Sequence, residues 1–175
     1  MIGLIVILSL AAILVVVFLV RSIVIKNRRS EWLDLRLTDD QRKLLAKDFV
    51  IFSKLPESLR DELEGLIHVF IHEKSFEACG GVEEVTDHMK RVIAAQACLL
   101  LLNRKHDHYR KLKSILVYPS AYKVRDEHGE ESVRLGESWT SGSVILAWKS
   151  VISGGRNDQD GHCLLYTSPS PRDRG

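Results

Sequence analysis

The most apolar part of the chain is its amino-terminal stretch, Ile2–Val20, in which no side chain is charged and only Ser9 is polar. At about 1.5 Å per residue a helix of this stretch is roughly 29 Å long, enough to cross the hydrocarbon core of a bilayer. A cleaved signal peptide would begin with basic residues and end at a small-residue cleavage site, and neither is present. The pattern therefore predicts an uncleaved transmembrane helix, and we assign residues 1–21 to a membrane anchor.

The charged side chains that follow Val20 are mostly basic, whereas only the amino terminus precedes the apolar stretch. These basic residues are Arg21, Lys26, Arg28 and Arg29. The positive-inside rule places the rest of the chain in the cytoplasm, as in a single-pass protein of the inner (cytoplasmic) membrane. We expect residues 22–34 to form a basic juxtamembrane segment, and the four basic side chains to face lipid headgroups.

After the juxtamembrane segment, apolar residues recur at helical spacing. Thr38–Gln41 has the pattern of a capping box, and apolar residues then recur from Leu44 to Phe52. A second helix is predicted from near Pro56 to about Glu73, because proline is tolerated in a first helical turn. Thr86 can cap a third helix that is apolar on nearly all sides between Ala94 and Leu102.

From Ser114 onward the pattern changes to β-branched and aromatic residues separated by turn residues. Helices followed by strands indicate an α+β domain. The predicted strands are Phe76–Cys79, Ile115–Tyr118, Ala121–Arg125, Ser132–Leu135 and Val144–Trp148.

Charge and cysteine content narrow the possible partners. The formal net charge is +2, but the part between the juxtamembrane segment and the cationic tail Arg172–Arg174 is net acidic. A nucleic-acid partner would need a basic face there, so none is predicted. The three cysteines, Cys79, Cys98 and Cys163, are an odd set without metal-type spacing, which favours free thiols in a reducing compartment.

Two histidines, His68 and His72, lie four residues apart on the second predicted helix. A zinc peptidase helix would need His-Glu-x-x-His, but the position four residues after His72 is Phe76. Ordinary helix histidines are the favoured interpretation, with an adventitious metal pair as the alternative. Ser138 lacks the Gly-x-Ser-x-Gly context of a serine nucleophile, and no catalytic or metal-binding residue is predicted in this chain.

Three stretches together resemble a known family. They are Phe52–Arg60 (FSKLPESLR), Ser114–Pro119 (SILVYP), and Gly136–Trp139 (GESW) followed by Val144–Trp148 (VILAW). This combination is similar to the Mlc titration factor A family, bacterial zinc-dependent peptidases with a zincin-type catalytic domain. The resemblance covers about Leu35–His162, and it implies that residues 35–162 are the helical and strand amino-terminal part of a zincin-like domain.

The chain departs from the family pattern after His162. In the family the segment matching Asp158–His162 runs into the zinc helix, whereas here Pro169 and Pro171 would break that helix. Residues 163–175 resemble an adaptor-derived tail, and we expect them not to be native. The resemblance implies a parent that hydrolyses peptide bonds with a zinc-activated water, and a truncated chain that is inactive and holds no zinc itself.

The resemblance also suggests where a substrate could lie. The strand that carries Val144, Leu146 and Trp148 should run near the absent zinc helix, and an edge strand there could pair with an extended peptide. Plain sheet residues are the alternative interpretation. A second function remains open: a membrane-tethered module that recruits a transcriptional repressor, as one lineage of the family does. The expected partners are thus the membrane, a peptide or protein substrate of the parent, and such a repressor.

Overall fold

A long amino-terminal helix leads into a domain of shorter helices and a small sheet. The computed structural model describes residues 2–104, 107–120, 122–125, 131–134, 136–138 and 142–157; the side chains at 2–9, 11, 22 and 121–141 are not described. The predicted tail, residues 163–175, lies outside these ranges. The predicted division of the chain into anchor, juxtamembrane segment and domain stays a prediction.

The first element, α1, is one continuous helix of 32 residues, Ile2–Leu33. Ile2–Val20 is therefore helical as predicted, and the helix continues through the basic segment. Among the described residues, however, no helix is both long enough and apolar enough to cross a membrane, so the predicted span is not confirmed. The apolar side chains from Ile13 to Val20 are each more than half exposed.

In the described part of the chain, five shorter helices follow α1. They are α2 (Asp39–Asp48), α3 (Val50–Lys54), α4 (Glu57–Glu73), α5 (Asp87–Leu99) and α6 (Trp148–Arg156). The predicted capping box is confirmed, because the Thr38 side chain accepts from the Gln41 N–H and the Gln41 side chain accepts from the Thr38 N–H. The helix predicted through Phe52 is interrupted at Phe49, whose backbone is not helical. Thr86 caps α5 as expected.

The strands form a four-stranded sheet and a separate hairpin. They are β1 (Ser75–Ala78), β2 (Ser114–Tyr118), β3 (Tyr122–Arg125), β4 (Glu131–Arg134), β5 (Gly136–Ser138) and β6 (Ser143–Ala147). The main sheet has the order β1-β2-β6-β5; its first three strands are parallel, β5 is antiparallel to β6, and β3 pairs with β4. The α+β class is confirmed, whereas β5 is a strand in a segment for which no strand was predicted.

The helices and the sheet share one apolar core. Its fully buried members include Leu45, Phe49, Leu63, Ile67, Val92, Ile115 and Val117. Glu64 of α4 lies among them with no exposed surface, and it accepts hydrogen bonds from the Leu37 N–H (3.0 Å) and from Nε and Nη2 of Arg42 (2.7 and 2.9 Å). A buried carboxylate is tolerated only when it is paired in this way.

α1 packs against α4 through a narrow contact. A Cβ atom on Gly65 of α4 would collide with the backbone carbonyl oxygen of Leu33. Trp32 stacks on His72, with ring centroids 4.7 Å apart, and Arg29 forms an ion pair with Glu73. We call these three pairs the α1/α4 seam. The glycine allows the two helix backbones to approach closely, and the ring and charge contacts fix their register.

Candidate functional site at the start of the last helix

The last described strand and helix meet at Trp148, the first residue of α6. Its indole faces His88 in the first turn of α5, with ring centroids 6.4 Å apart and ring planes nearly perpendicular, at 86°. Edge-to-face contact of this kind is favourable between aromatic rings. The contact brings together β6, α5 and α6 at the carboxyl end of the parallel strands.

One carboxylate ties the helices around this junction. Asp48, the last residue of α2, accepts a hydrogen bond through Oδ2 from His88 Nε2 (2.8 Å), and through Oδ1 from Nε and Nη2 of Arg156 (3.0 and 2.7 Å). Only 12% of the Asp48 side chain is exposed. These three residues, which we call the Asp48 clamp, hold α2, α5 and α6 together although they are distant in the chain.

The charge state of Asp48 follows from its surroundings. Burial by itself would raise the pKa of this carboxyl group, but the hydrogen bonds and charges of His88 and Arg156 outweigh that effect and the pKa is lowered. The carboxylate is therefore ionised at neutral pH and can only accept hydrogen bonds, so His88 Nε2 carries the shared proton. Both carboxylate oxygens are occupied, which suits an anchor for α6 better than a proton donor.

α6 is packed closely onto this clamp. A Cβ atom on Gly155 would collide with the carbonyl oxygen of Asp48 and would lie 2.7 Å from Gln96 Nε2, which itself donates to the Val151 carbonyl (2.8 Å). Sequence reasoning missed α6 and the clamp, because charged residues so far apart carry no spacing signal. The glycine in this amphipathic stretch was the signal that could have pointed to a close helix contact.

The strand predicted to bind substrate differs from the expectation in two ways. β6 is not an edge strand, because it pairs with β2 on one side and with β5 on the other, so the prediction that it could bind a peptide along a free edge is wrong. Trp148 has left the strand and begins α6, where its side chain contacts His88. Leu146 is buried in the core and Val144 packs against it, which agrees with the alternative interpretation of these two as plain sheet residues.

The four residues predicted to face lipid differ in their exposure and contacts. Arg21, Lys26 and Arg28 are exposed on α1. Arg29 instead pairs with Glu73, Nη2 to Oε2 at 2.9 Å, and only 29% of its side chain is exposed. Its predicted role at headgroups stays a prediction, and α4 supplies an acidic partner that the linear sequence did not reveal.

The two histidines of α4 have different surroundings. His72 Nδ1 lies 2.7 Å from the His68 carbonyl oxygen, and the two rings are 6.5 Å apart. Burial lowers the pKa of His68, which favours its neutral form. Among the described residues, no group of three or more histidine, cysteine or acidic side chains could hold a metal ion. The described side chains therefore do not fit the zinc that the resemblance implies, and no reaction step can be derived through it.

A family model described as glucose-regulated metallo-peptidase M90 matches residues 24–166, which include the sheet, the clamp and α6. The chain belongs to this family. Two proteins named Mlc titration factor A, from strains of Klebsiella pneumoniae, are 28% and 27% identical over 109 residues. Each match covers 58% of this chain and 41% of the relative. The family suggested by the sequence is thus confirmed.

A further relative of this M90 chain is an uncharacterized protein, slr2042, of Synechocystis sp. It is 34% identical over 152 residues, which are 77% of this chain and 55% of the relative. The chain spans about half the length of the curated relatives that it matches. No solved structure matches it.

Proposed function

We propose that this chain is the amino-terminal part of a zinc-dependent metallopeptidase and forms one wall of its substrate cleft. The observation that carries the proposal is the match to the M90 family over residues 24–166. The zinc ligands and the general base would lie beyond Asn157, outside the described residues. In this proposal the parent protein continues differently after His162, and this chain alone does not hydrolyse peptides.

Within that protein, the Asp48 clamp would set the position of the catalytic helix. Arg156 is the last residue of α6, and Asp48 holds its guanidinium with two hydrogen bonds. The chain therefore leaves α6 from a fixed point just before the segment that, by resemblance, leads to the zinc helix. Geometric precision of this kind matters in catalysis, because small displacements of reacting groups cost much of the rate.

An extended substrate would pair with β5 rather than with β6. β5, Gly136–Ser138, is the outermost of the described strands on its side of the sheet, and β6 lies behind it. An outer strand presents unpaired backbone groups to which a peptide can add as a further strand. Trp139, in the family-like run Gly136–Trp139, lies outside the described residues.

The native reading frame after His162 tests the peptidase proposal. We expect it to encode His-Glu-x-x-His, and the extended protein to bind stoichiometric zinc and to cleave an unstructured peptide until a chelator removes the metal. Replacing the glutamate of that motif by glutamine should abolish cleavage and leave zinc binding in place. A continuation without the motif, or zinc binding without hydrolysis, would contradict the proposal.

A second candidate function is a tethered binding module for a transcriptional regulator. It is favoured by the name of the Klebsiella relatives, Mlc titration factor A, which says that those proteins titrate a factor called Mlc. The two candidates differ in one measurement. A module would capture its regulator equally well when the catalytic glutamate is replaced, and it would need no zinc.

We propose further that the first part of α1 inserts into the inner membrane and leaves the domain in the cytoplasm. Support comes from the uncharged sequence of residues 2–20 and from the eight consecutive exposed apolar side chains between Ile13 and Val20. Consecutive residues point to all sides of a helix, so one packed neighbour could not cover them, whereas lipid could. A cysteine introduced at Ser53 should resist an impermeant thiol reagent in intact cells; rapid labelling would contradict the orientation.

A further inference from the structure

The α1/α4 seam shows which end of the domain lies nearest the apolar part of α1. Along the chain, Arg29 pairs with Glu73, Leu33 touches Gly65, and Arg36 then lies 3.8 Å from Asp61. The contacts on α4 thus move backward as the chain moves forward. α4 therefore runs antiparallel to α1, and its carboxyl end, next to Glu73, points toward the apolar segment.

The loop between α5 and β2 is attached to this same end of α4. Lys74 Nζ donates to the Tyr109 carbonyl at 2.8 Å, and the Ser75 N–H donates to the Lys113 carbonyl at 2.9 Å. The Lys113 N–H in turn donates to the Gly142 carbonyl at 2.7 Å. Residues 109–113 are therefore fixed beside the carboxyl end of α4.

Charges from both α1 and the loop act on Lys74. Burial lowers the pKa of the Lys74 ammonium; Glu73 opposes the shift, and the positive charges of Arg29 and Lys113 add to it. Arg29 belongs to α1 and Lys113 to the loop, so both helix and loop lie within charge range of the same ammonium group.

Three cations within residues 109–113 are exposed, and we call them the loop cations: Arg110, Lys111 and Lys113. Among the described residues no ion pair engages them. Arg29 follows Val20 by nine residues, which is about 14 Å along a helix. Lipid headgroups extend roughly 5 to 8 Å beyond the hydrocarbon core, and the field of an anionic surface reaches about 8 to 10 Å further.

We propose that the loop cations form a second contact with anionic phospholipid headgroups, beside the point where α1 leaves the bilayer. This inference depends on the membrane insertion of α1 proposed above. The continuity of α1 from the apolar segment into the seam supports it, because a rigid helix holds one end of the domain toward the bilayer. The contact would fix the orientation of the domain relative to the membrane surface. A flexible linker would leave that orientation variable.

Lysine reactivity in vesicles tests this contact. The full chain is reconstituted into vesicles of phosphatidylcholine alone or with phosphatidylserine, and treated with an impermeant amine-acylating reagent. Acylation of Lys111 and Lys113 should be about fivefold slower in the anionic vesicles, and added salt should remove the difference. Lys43 and Lys47 on α2 are the control, because they are exposed and α2 begins beside Glu64, toward the other end of α4.

A pair of variants sharpens the test. R110Q keeps both reporter lysines, and in this variant anionic vesicles should protect Lys111 and Lys113 less from acylation. K47Q on α2 should leave the protection of Lys111 and Lys113 unchanged. Flotation separates the two proposals. A chain that floats with both vesicles but shows equal acylation overturns the lipid contact and leaves the anchor in place, whereas a chain that floats with neither overturns both. Protection of the lysines by added duplex DNA, without protection by anionic vesicles, would also overturn the lipid contact.

Discussion

Two buried acidic side chains, Glu64 and Asp48, form the same kind of ion pair at the two ends of α2. Glu64 has no exposed surface and binds Leu37 and Arg42, which lie at the start of α2. Asp48 retains 12% exposure at its side chain, and one of its partners, Arg156, is 55% exposed. A fully buried carboxylate stabilises the fold under most conditions. A carboxylate whose partner is exposed to solvent forms an ion pair that pH and salt can weaken.

This difference matches the places of the two residues in the proposed enzyme. Glu64 lies next to Gly65 and the α1/α4 seam, where the domain joins the proposed anchor. Asp48 lies where α6 ends and where the chain would continue toward the catalytic helix. We therefore expect changes near Glu64 to affect the stability of the whole domain, and changes near Asp48 to affect mainly the position of α6.

The largest effect should come from Glu64→Gln. The amide keeps the volume but removes the negative charge that balances Arg42. Its NH2 group would also face N–H donors of Leu37 or Arg42, which cannot accept a hydrogen bond from it. We expect the free energy of unfolding to fall by about 3 to 4 kcal/mol, as when a buried ion pair loses one partner. Urea unfolding of the full chain in mild detergent measures it. Glu62→Gln, an exposed change on the same helix, should cost less than about 0.5 kcal/mol; equal costs would show that Glu64 does not stabilise the fold as described above.

Gly65→Ala should be the next most damaging change. The added methyl group meets the backbone carbonyl of Leu33, which cannot move aside without shifting α1 from α4. Overpacking of this kind costs about 1 to 3 kcal/mol. Ser58→Ala, at an exposed position near the start of α4, is the control. If Gly65→Ala proved as stable as Ser58→Ala, the close contact between the two helices would be contradicted.

Asp48→Asn should have an effect that depends on pH. The folded-state pKa of Asp48 lies below its ordinary value, so its contribution to stability is present above that ordinary value and is lost as pH falls through the folded pKa. At neutral pH we expect a cost of about 1 to 2 kcal/mol, reduced because Arg156 is largely exposed. Urea unfolding at decreasing pH should show the gap between wild type and variant closing in the acid range. A gap that stays constant would mean that the Asp48 charge does not stabilise the junction.

Local sequence signals predicted the helices and strands well where caps and periodicity agreed. Thr38 and Thr86 cap their helices, and Pro56 precedes α4, as expected. The break at Phe49 was missed because apolar spacing continues across it and hides the non-helical backbone.

The candidate site was harder to predict, because it depends on tertiary contacts. β5 reads as a polar loop and is a strand only because β6 supplies a partner. α6 contains Gly154 and Gly155, which act as helix breakers in an isolated peptide, and the close contact with Asp48 is what makes Gly155 necessary. Likewise, the sequence did not reveal that Glu73 lies beside Arg29 in the fold.

The smallest predicted effect concerns the aromatic contacts at the α1/α4 seam and at the Asp48 clamp. At the seam, His72 stacks on Trp32, but His72 is exposed and its Nδ1 lies beside the carbonyl oxygen of His68 in its own helix. At the junction, His88 meets Trp148 edge-on and also binds Asp48. A ring contact alone stabilises by about 0.5 to 1.5 kcal/mol, so His72→Ala should cost about 0.5 kcal/mol and His88→Ala clearly more, because it also breaks the clamp.

A double-mutant cycle isolates the ring contact at the seam. Trp32→Leu and His72→Ala, alone and combined in the full chain, should give a coupling free energy of about 0.5 kcal/mol by urea unfolding. The same cycle with His88→Ala and Asp48→Asn should give a larger coupling, because a charge-assisted hydrogen bond exceeds an exposed ring contact. Coupling at the seam as large as that at the clamp would contradict the view that the exposed rings of the seam contribute less to stability than the Asp48 clamp.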